Sequence, residues 1–319
     1  MEQNRLEVKN LRVHYVTDTG DVQAVNGVDL HLKKGEVLGL VGETGAGKTT
    51  VALSVMQLVP DPPGIILDGE ILFKGRNLIY NSDRENQEMR GNGISMIFQD
   101  PMTALNPIMT IGQQLAEVVI KHKKLSKKAA MEVAAEMLER VGVTRDRIND
   151  YPHQFSGGMK QRAIIAMALL CNPEILIADE PTTALDVTIQ AQVLEIIRSL
   201  IRENEMSMIL ITHDLGVVAE TCDQVAIMYA GEVVEYGSVW DVYTNPKHPY
   251  TRGLFDSIPK MDVDDERLSP IPGLAPNPTA LPSGCYFHPR CKYCQERCRE
   301  QSPAMKGDTH QYKCWLDFE

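Results

Sequence analysis

Residues 42–49 read Gly42-Glu43-Thr44-Gly45-Ala46-Gly47-Lys48-Thr49, which matches the phosphate-loop pattern G-x-x-x-x-G-K-[ST]. The glycines let backbone N–H groups face phosphates, and a helix starting at Lys48 adds about half a positive charge at its N-terminus. The apolar run 36–41 precedes the loop and predicts a buried strand. We therefore predict a nucleotide site in which Lys48 reaches the β- and γ-phosphates, Thr49 holds Mg²⁺ and Thr50 also contributes.

Two acidic residues end the apolar run 175–178. A carboxylate at the tip of a buried strand beside a phosphate loop is where Mg²⁺ needs a ligand, so Asp179 is assigned that role. Glu180 follows it and is placed to polarise the attacking water as general base. The alternative for Glu180 is a structural one, in which it caps a loop whose turn is enforced by Pro181.

A second glycine motif, Ser156-Gly157-Gly158, opens another predicted helix. Serine at a helix N-cap is common in ordinary proteins, so the motif alone says little. Together with the phosphate loop the motif is more informative, because one bound triphosphate does not need two glycine-rich loops from the same chain. The pair predicts a nucleotide site that is completed by a second molecule.

Composition and charge narrow the function. The 319 residues suffice for one large domain with a small appendage, and the net charge is −11 without a long Lys/Arg run. Nucleic acid is therefore a poor partner, because its binding depends on basic side chains. The start of the chain does not resemble a signal peptide, and the apolar run 163–171 is too short to span a bilayer. We expect a cytoplasmic chain that works at a membrane only through another subunit.

Hydrophobic periodicity predicts an α/β core. Short buried strands are expected at 94–98, 175–178 and 208–211, and a hairpin at 224–236 that turns near Ala230-Gly231. Helices are expected at 48–59, stopped by Pro60, and at 125–141, within a helical insertion between Gln99 and Ser156. After about residue 258, six prolines between Pro259 and Pro282 predict a linker or an extended segment.

These motifs, in this order, resemble the ATP-binding cassette (ABC) ATPases, whose signature is usually Leu-Ser-Gly-Gly-Gln. Here it reads Phe155-Ser156-Gly157-Gly158-Met159, a departure typical of the peptide and nickel importer branch. The resemblance implies a P-loop NTPase fold with an ABC nucleotide-binding domain over 1–255, including a helical subdomain at about 100–158. A Pro-rich linker and a Cys-rich C-terminal extension would occupy 256–319.

The same resemblance assigns further site residues. Tyr15 matches the aromatic residue that stacks on adenine. Gln99 matches the Q-loop glutamine, which contacts Mg²⁺ and links the γ-phosphate site to the membrane subunit. Asp186, in Ala184-Leu185-Asp186, matches the D-loop, and His213 matches the switch histidine that contacts the γ-phosphate.

Partners are implied by the family as well. Two cassettes dock head to tail, so that Ser156 of one faces the ATP held by the other, and hydrolysis at Glu180 separates them. The segments 100–107 and 248–252 resemble those of oligopeptide, dipeptide and nickel importers. The implied function is ATP hydrolysis that energises peptide uptake, with a nickel or other solute importer, or a soluble ABC ATPase acting on nucleic acid, as alternatives.

In that setting the chain would lie peripherally on the cytoplasmic face of the inner membrane. Its partners would be a second ABC ATPase subunit, two transmembrane permease subunits and, indirectly, an extracellular solute-binding protein. A heterodimer with a similar but distinct cassette is favoured, and a homodimer stays open.

Five of the seven cysteines crowd into the last 35 residues, and such thiolates can bind a soft metal. The importer branch carries Gly-Cys-x-Phe-x-x-Arg-Cys, here residues 284–291, and some members bind a 4Fe–4S cluster there. That pattern maps onto Cys285, Cys291, Cys298 and Cys314, leaving Cys294 as a spare. Structural zinc stays open, because Cys291-x2-Cys294 has zinc-knuckle spacing and His288 or His310 could assist. The absence of any metal is the third alternative.

Overall fold

The computed structural model describes residues 4–18, 20–99, 104–182, 186–257 and 271–318. Backbone packing divides the chain into two compact units. Unit 1 comprises Met1–Arg5, Leu32–Val37 and Asn77–Ile211; unit 2 comprises Leu6–His31, Leu38–Arg76 and Thr212–Glu319. Three parts of these predictions lie outside the described residues. They are residues 100–103 of the importer-like segment, Ala184 and Leu185 of the D-loop, and residues 258–270 at the start of the Pro-rich linker. The domain boundaries expected from the sequence, 1–255 and 256–319, stay predictions.

The described residues form eleven β-strands. They are β1 Asn4–Thr17, β2 Gly20–Lys33, β3 Val37–Val41, β4 Gly64–Phe73, β5 Arg76–Asn77, β6 Ile94–Ile97, β7 Ile175–Asp179, β8 Ser207–Thr212, β9 Gln224–Tyr229, β10 Glu232–Ser238 and β11 Gln311–Tyr312.

The same residues form ten α-helices. They are α1 Lys48–Val55, α2 Asp83–Met89, α3 Ile111–Lys123, α4 Lys127–Arg140, α5 Gly157–Leu169, α6 Val187–Glu203, α7 Leu215–Thr221, α8 Val239–Thr244, α9 Pro249–Asp256 and α10 Glu296–Glu300. Short 3-10 turns lie at Leu78–Tyr80, Arg145–Asn149, Pro152–Gln154 and His288–Arg290.

Unit 1 contains three parallel strands in the order β6, β7, β8. Ile94 pairs with Ile175, and Ile175 in turn with Ser207. All three strands are buried along their whole length, as expected for parallel strands that are covered on both faces. The carboxyl ends of parallel strands share one edge, so the residues that follow β6 and β7 are brought to the same place.

Helices α3, α4 and α5 also belong to unit 1. α3 and α4 lie within the helical insertion predicted between Gln99 and Ser156, and α5 follows it. α3 begins with a capping box in which Thr110 accepts from the N–H of Gln113 and the Gln113 side chain accepts from the N–H of Thr110. α4 and α5 are capped by Ser126 and Ser156, whose hydroxyls accept from the N–H three residues ahead. Each helix therefore begins where a short polar residue replaces a missing backbone acceptor.

Unit 2 contains two sheet regions. In the first, β1 pairs antiparallel with β4, with Tyr15 opposite Gly64 near the end of the ladder. In the second, β3 runs parallel to β9, β9 forms an antiparallel hairpin with β10, and β11 adds to β10. The hairpin turns at Ala230 and Gly231, the position that the sequence predicts. Both residues have positive φ.

Helix α1 is shorter than predicted. The sequence predicts a helix to residue 59, but α1 ends at Val55 with Met56 as its C-cap. Gln57 has φ 52°, and the N–H of Leu58 returns to the carbonyl of Leu53. A left-handed residue closes the helix in this way, so the helix stops before Pro60 is reached. A glutamine at that position gives no sequence signal, because glycine or asparagine is usual there.

The core of unit 2 includes part of the Cys-rich extension. Phe287 is 3% exposed and lies against Tyr229 and Tyr250, with ring centroids 5.2 Å and 5.5 Å away. Cys285 and Cys291 pack against the same cluster. The extension is therefore joined to the core of unit 2 by aromatic packing.

Candidate nucleotide-binding site

The phosphate loop joins β3 to α1, as the motif predicts. Gly45 and Gly47 have φ of 82° and 97°, values that favour glycine. A Cβ at Gly42 would lie 2.3 Å from the carbonyl oxygen of Met228, and one at Gly47 would lie 2.3 Å from that of Ala24. Gly42 and Gly47 therefore have to be glycine, because any side chain there would collide with neighbouring backbone, whether or not a phosphate is bound.

Lys48 is buried, and its ammonium lies across the start of the loop. Nζ donates to the carbonyl oxygens of Gly42 at 2.7 Å and Glu43 at 3.0 Å. These bonds hold the cation at the helix N-terminus, where an anion is favoured. Thr49 is exposed on the first turn of α1.

Tyr15 lies near the same helix. Its hydroxyl donates to Oγ1 of Thr50 at 3.4 Å, which fixes the ring beside α1. The structure thus brings two of the predicted nucleotide-binding residues into contact in unit 2. His213, also in unit 2, is exposed between β8 and α7. The next residue, Asp214, caps α7 by accepting from the N–H groups of Gly216 and Val217.

Three predicted residues lie together in unit 1, at the carboxyl ends of β6 and β7. Nε2 of Gln99 donates to Oε2 of Glu180 at 3.3 Å. Asp179 is 1% exposed, at the end of β7. Glu180 has φ 46°, and its N–H donates to the carbonyl of Ile211 at 2.9 Å. A non-glycine residue in this conformation is strained, and such strain is concentrated at functional sites.

Gln161 is a residue that sequence reasoning missed. It is 1% exposed on α5, and its Nε2 donates to the carbonyl oxygen of Pro181, directly after Glu180. The bond ties the helix that follows Ser156 to the loop that carries the candidate base. The sequence gives no signal of this contact, because Gln161 and Pro181 are 20 positions apart.

The signature residues lie at the start of α5. Ser156 accepts from the N–H of Met159 at 3.4 Å, and Gly157 is exposed with open space where a Cβ would be. A Cβ at Gly158 would contact Ile189 at 3.0 Å. Asp186 is exposed and caps α6 through the N–H of Ile189 at 3.0 Å. The roles assigned to these residues from the sequence stay predictions.

The cysteines of the extension are free thiols. Cys285, Cys291, Cys298 and Cys314 line one cavity, together with residues that include Phe287 and Trp315, and Cys294 does not line it. The pKa of Cys285 is raised to about 12 and that of Cys291 to about 11, mainly by burial and to a smaller extent by the neighbouring cysteines, while a backbone hydrogen bond to each thiol opposes the rise. The pKa of Cys314 is also raised, first by burial.

The four cysteines have the right ligand atoms for a metal, but their arrangement is a separate question. Four sulfur atoms around one cavity are the ligands that iron–sulfur clusters and zinc prefer. Within the described ranges, no group of three or more His, Cys, Asp or Glu side chains forms a metal-binding group. The residues therefore have the chemistry for a soft metal, while an arranged metal site is absent from the part of the chain that is described.

Family models and solved structures show which class of protein this chain belongs to. A family model described as ABC transporter matches residues 25–183, and one described as the C-terminal region of oligopeptide/dipeptide transporters matches residues 234–298. A solved dimeric ATP-binding cassette, in a post-hydrolysis state with ADP and phosphate, is similar with a TM-score of 0.66 and 28% identity. That likeness covers 73% of this chain and 98% of the cassette. The fold is that of an ABC ATPase, an enzyme that binds and hydrolyses ATP.

Two curated relatives specify the family. The oligopeptide transport ATP-binding protein OppD of Bacillus subtilis is 52% identical over 316 residues, which is 98% of this chain and 88% of the relative. The dipeptide transport ATP-binding protein DppD of the same organism is 51% identical over 315 residues, 98% of this chain and 94% of the relative. The chain therefore belongs to the family of ABC transporter ATP-binding proteins, and the fold class predicted from the sequence is confirmed. No helix in the described ranges is long and apolar enough to cross a membrane.

Proposed function

We propose that this chain is the ATP-hydrolysing subunit of an importer for di- or oligopeptides. The observation that carries the proposal is the identity of about half of the residues, over nearly the whole chain, to proteins named for oligopeptide and dipeptide transport. The match of residues 234–298 to the C-terminal region of such transporters supports it independently of the cassette core. The relatives do not favour the nickel importer or the nucleic-acid alternative.

Each site residue has a proposed role. Lys48 neutralises charge on the β- and γ-phosphates, and Tyr15 stacks on adenine. Thr49, Gln99 and Asp179 would hold Mg²⁺, which when bound supplies positive charge to the phosphate oxygens. The remaining proposed nucleotide contacts come from the loop residues 42–47, from Thr50 and from His213.

Glu180 acts in this proposal as the general base for the attacking water. Its carboxylate accepts a hydrogen bond from Gln99, and the same carboxylate would receive a proton from the attacking water. The strained backbone of Glu180 supports a functional role, because such strain is concentrated at functional sites. Gln99 thereby connects the base to the predicted membrane-facing insertion.

A complete site requires two chains. Ser156, Gly157 and Gly158 are offered to the nucleotide of a second ABC ATPase subunit, and Asp186 lies at the same proposed interface. The exposure of Ser156 and Gly157 in the single chain supports this arrangement. We infer a dimer, heterodimeric with a similar cassette, that attaches peripherally to two permease subunits at the cytoplasmic face of the membrane. An extracellular solute-binding protein would deliver the peptide.

Uptake of labelled peptides tests the function. Cells that lack this chain should lose import of labelled di- and oligopeptides, and the wild-type chain should restore it. The variant Glu180→Gln, expressed at the same level, should leave import absent. Normal peptide import in the deleted cells, or their loss of nickel import alone, would refute the peptide assignment.

We also propose that Cys285, Cys291, Cys298 and Cys314 hold a 4Fe–4S cluster that fastens the extension. The support is that these four cysteines, and not Cys294, line one cavity. Iron, sulfide and zinc should be measured in full-length protein prepared without oxygen. Iron and sulfide should fall in Cys298→Ser and persist in the matched Cys294→Ser variant. Zinc without iron in the wild type, or neither metal, would overturn the assignment.

A further inference from the structure

Glu43, the second residue of the phosphate loop, forms an ion pair with the C-terminal extension. Arg290 contacts it in a two-pronged manner, with Nη1 2.8 Å from Oε2 and Nη2 3.1 Å from Oε1. The Arg290 side chain is 7% exposed and that of Glu43 is 31% exposed. A two-pronged pair with a buried guanidinium is stronger and more directional than a fully exposed ion pair.

The backbone of Glu43 is held by a second C-terminal residue. Its N–H donates to the hydroxyl of Tyr250 at 3.0 Å, and Tyr250 is fully buried on α9. Side chain and backbone of one loop residue are thus fixed by two segments, 248–252 and 284–291, that were noted in the sequence without a role in ATP chemistry.

Arg290 is itself held in place. Nε donates to the carbonyl oxygen of Pro272 at 2.9 Å, and Nη1 lies 3.4 Å from the hydroxyl of Tyr229. Nη2 also lies 3.5 Å from the carbonyl oxygen of Ile271. The guanidinium therefore has one orientation, and Glu43 receives a fixed partner rather than a mobile one.

Glu43 is in turn hydrogen-bonded to Lys48, the lysine of the phosphate loop. The carbonyl oxygen of Glu43 accepts from Nζ of Lys48 at 3.0 Å, so a shift of Glu43 moves an acceptor that holds the ammonium. Phosphate binding depends on the directions of the loop N–H groups and of that ammonium. Small displacements of pre-organised groups weaken binding substantially.

We propose that Arg290, with Tyr250, is a positioning residue for the phosphate loop, so that the C-terminal extension raises the affinity of this chain for ATP. The extension then acts on the nucleotide through Glu43 and Lys48 without touching it. This role is separate from peptide transport and from metal binding by the cysteines.

Binding of MgATP to the full-length chain tests the proposal. Arg290→Gln should raise the Kd for MgATP about tenfold, within the range usual for coupled sites. Glu43→Gln should raise it to a similar extent, and the double variant should be no weaker than either single one, because both remove the same interaction. The Kd of Arg290→Lys should lie between those of wild type and Arg290→Gln, because lysine keeps the positive charge but cannot form the two-pronged contact.

Arg297→Gln is the matched control. Arg297 also precedes a cysteine of the extension, but it contacts Gln295 and Trp315. Its Kd should stay within about twofold of wild type, an effect well below typical coupling energies. An equal rise in Arg297→Gln, or fully additive effects of the Arg290 and Glu43 substitutions, would overturn the proposal.

Thermal unfolding without nucleotide shows whether each variant is folded. A folded Arg290→Gln with a wild-type Kd refutes the positioning role. If that variant does not fold, Arg290→Lys and Tyr250→Phe, which removes only the hydroxyl, carry the test. Raised Kd values in both, with faster amide hydrogen exchange at residues 43–48, support the proposal, and unchanged values overturn it.

Discussion

Gln99 Nε2 donates a hydrogen bond to Glu180 Oε2 at 3.3 Å, although the two residues are 81 positions apart in the sequence. The contact exists because β6 and β7 are adjacent parallel strands that end at the same edge. Gln99 is the second residue after β6 and Glu180 is the first after β7, so the two side chains meet at that edge. The contact thus orients the side chain of the candidate base.

Replacing Glu180 with Gln should abolish turnover while preserving ATP binding. The amide keeps the size of the side chain but cannot accept a proton, so the ATPase rate of the assembled complex should fall about 10²–10⁴-fold. Phosphate release and nucleotide retention, measured on the same preparation, check both parts. Turnover close to wild type would exclude Glu180 as the base.

Ser156 and Ser126 offer a matched pair of helix caps. Each hydroxyl accepts from the N–H three residues ahead at 3.4 Å. Alanine at either position should cost about 1 kcal/mol of unfolding free energy. Only Ser156→Ala should also slow ATP hydrolysis in the assembled complex, by about 100-fold, because it removes a donor offered to the partner's nucleotide.

Denaturant unfolding of the single chain and ATPase assays of the complex separate the two effects of these substitutions. An equal loss of activity in Ser126→Ala would show that helix stability alone is responsible. Full activity in Ser156→Ala would argue against a composite site.

Tyr15 should contribute to ATP affinity through its ring. Tyr15→Ala should raise the Kd for MgATP about tenfold, in line with the roughly 1–3 kcal/mol of base–aromatic stacking. Tyr15→Phe keeps the ring and loses only the 3.4 Å bond to Thr50, so its effect should be much smaller. Titration with a fluorescent ATP analogue checks both, and equal effects in the two variants would refute stacking.

The buried His248 should make stability depend on pH. Burial lowers its pKa from 6.5 to about 4, opposed by Glu235 and assisted by Lys313. Between these values the unfolded chain binds more protons than the folded chain, so stability rises with pH over this window and levels off above it. The difference is on the order of 3 kcal/mol.

His248→Asn should flatten this dependence, because asparagine can still accept from the N–H of Tyr250 at the start of α9 without gaining a charge. Urea unfolding at several pH values between the two pKa values gives the slope. The exposed His153→Asn serves as control and should retain it. An unchanged slope in His248→Asn would exclude this histidine as its source.

Much of the cassette was predictable, because its signals are local. A glycine loop between a buried strand and a helix is specified by neighbouring residues, as at 42–49. The strands β6, β7 and β8 are buried on both faces, which explains why each is visible in the sequence as a short continuous apolar run. The serine caps of α4 and α5 act over three residues and are equally visible.

The remaining features depend on residues that are distant in sequence. Arg290 meets Glu43 across 247 positions, and Gln161 reaches Pro181 from a different element. No pattern within either segment specifies such a contact, since arginine and glutamine are ordinary surface residues. The early end of α1 was missed for a different reason, because its left-handed closing residue is Gln57 rather than glycine.

The short strand β11 has a further consequence for the extension. Tyr312 and Gln311 pair with Glu235 and Tyr236, and the N–H of Lys313 donates to the carbonyl of Val234. Without these residues, β10 would present unpaired backbone groups, which are a template for aggregation between molecules. The end of the chain thus shields the sheet, so a protein shortened to its ATPase core would be expected to lose solubility before it loses its active-site residues.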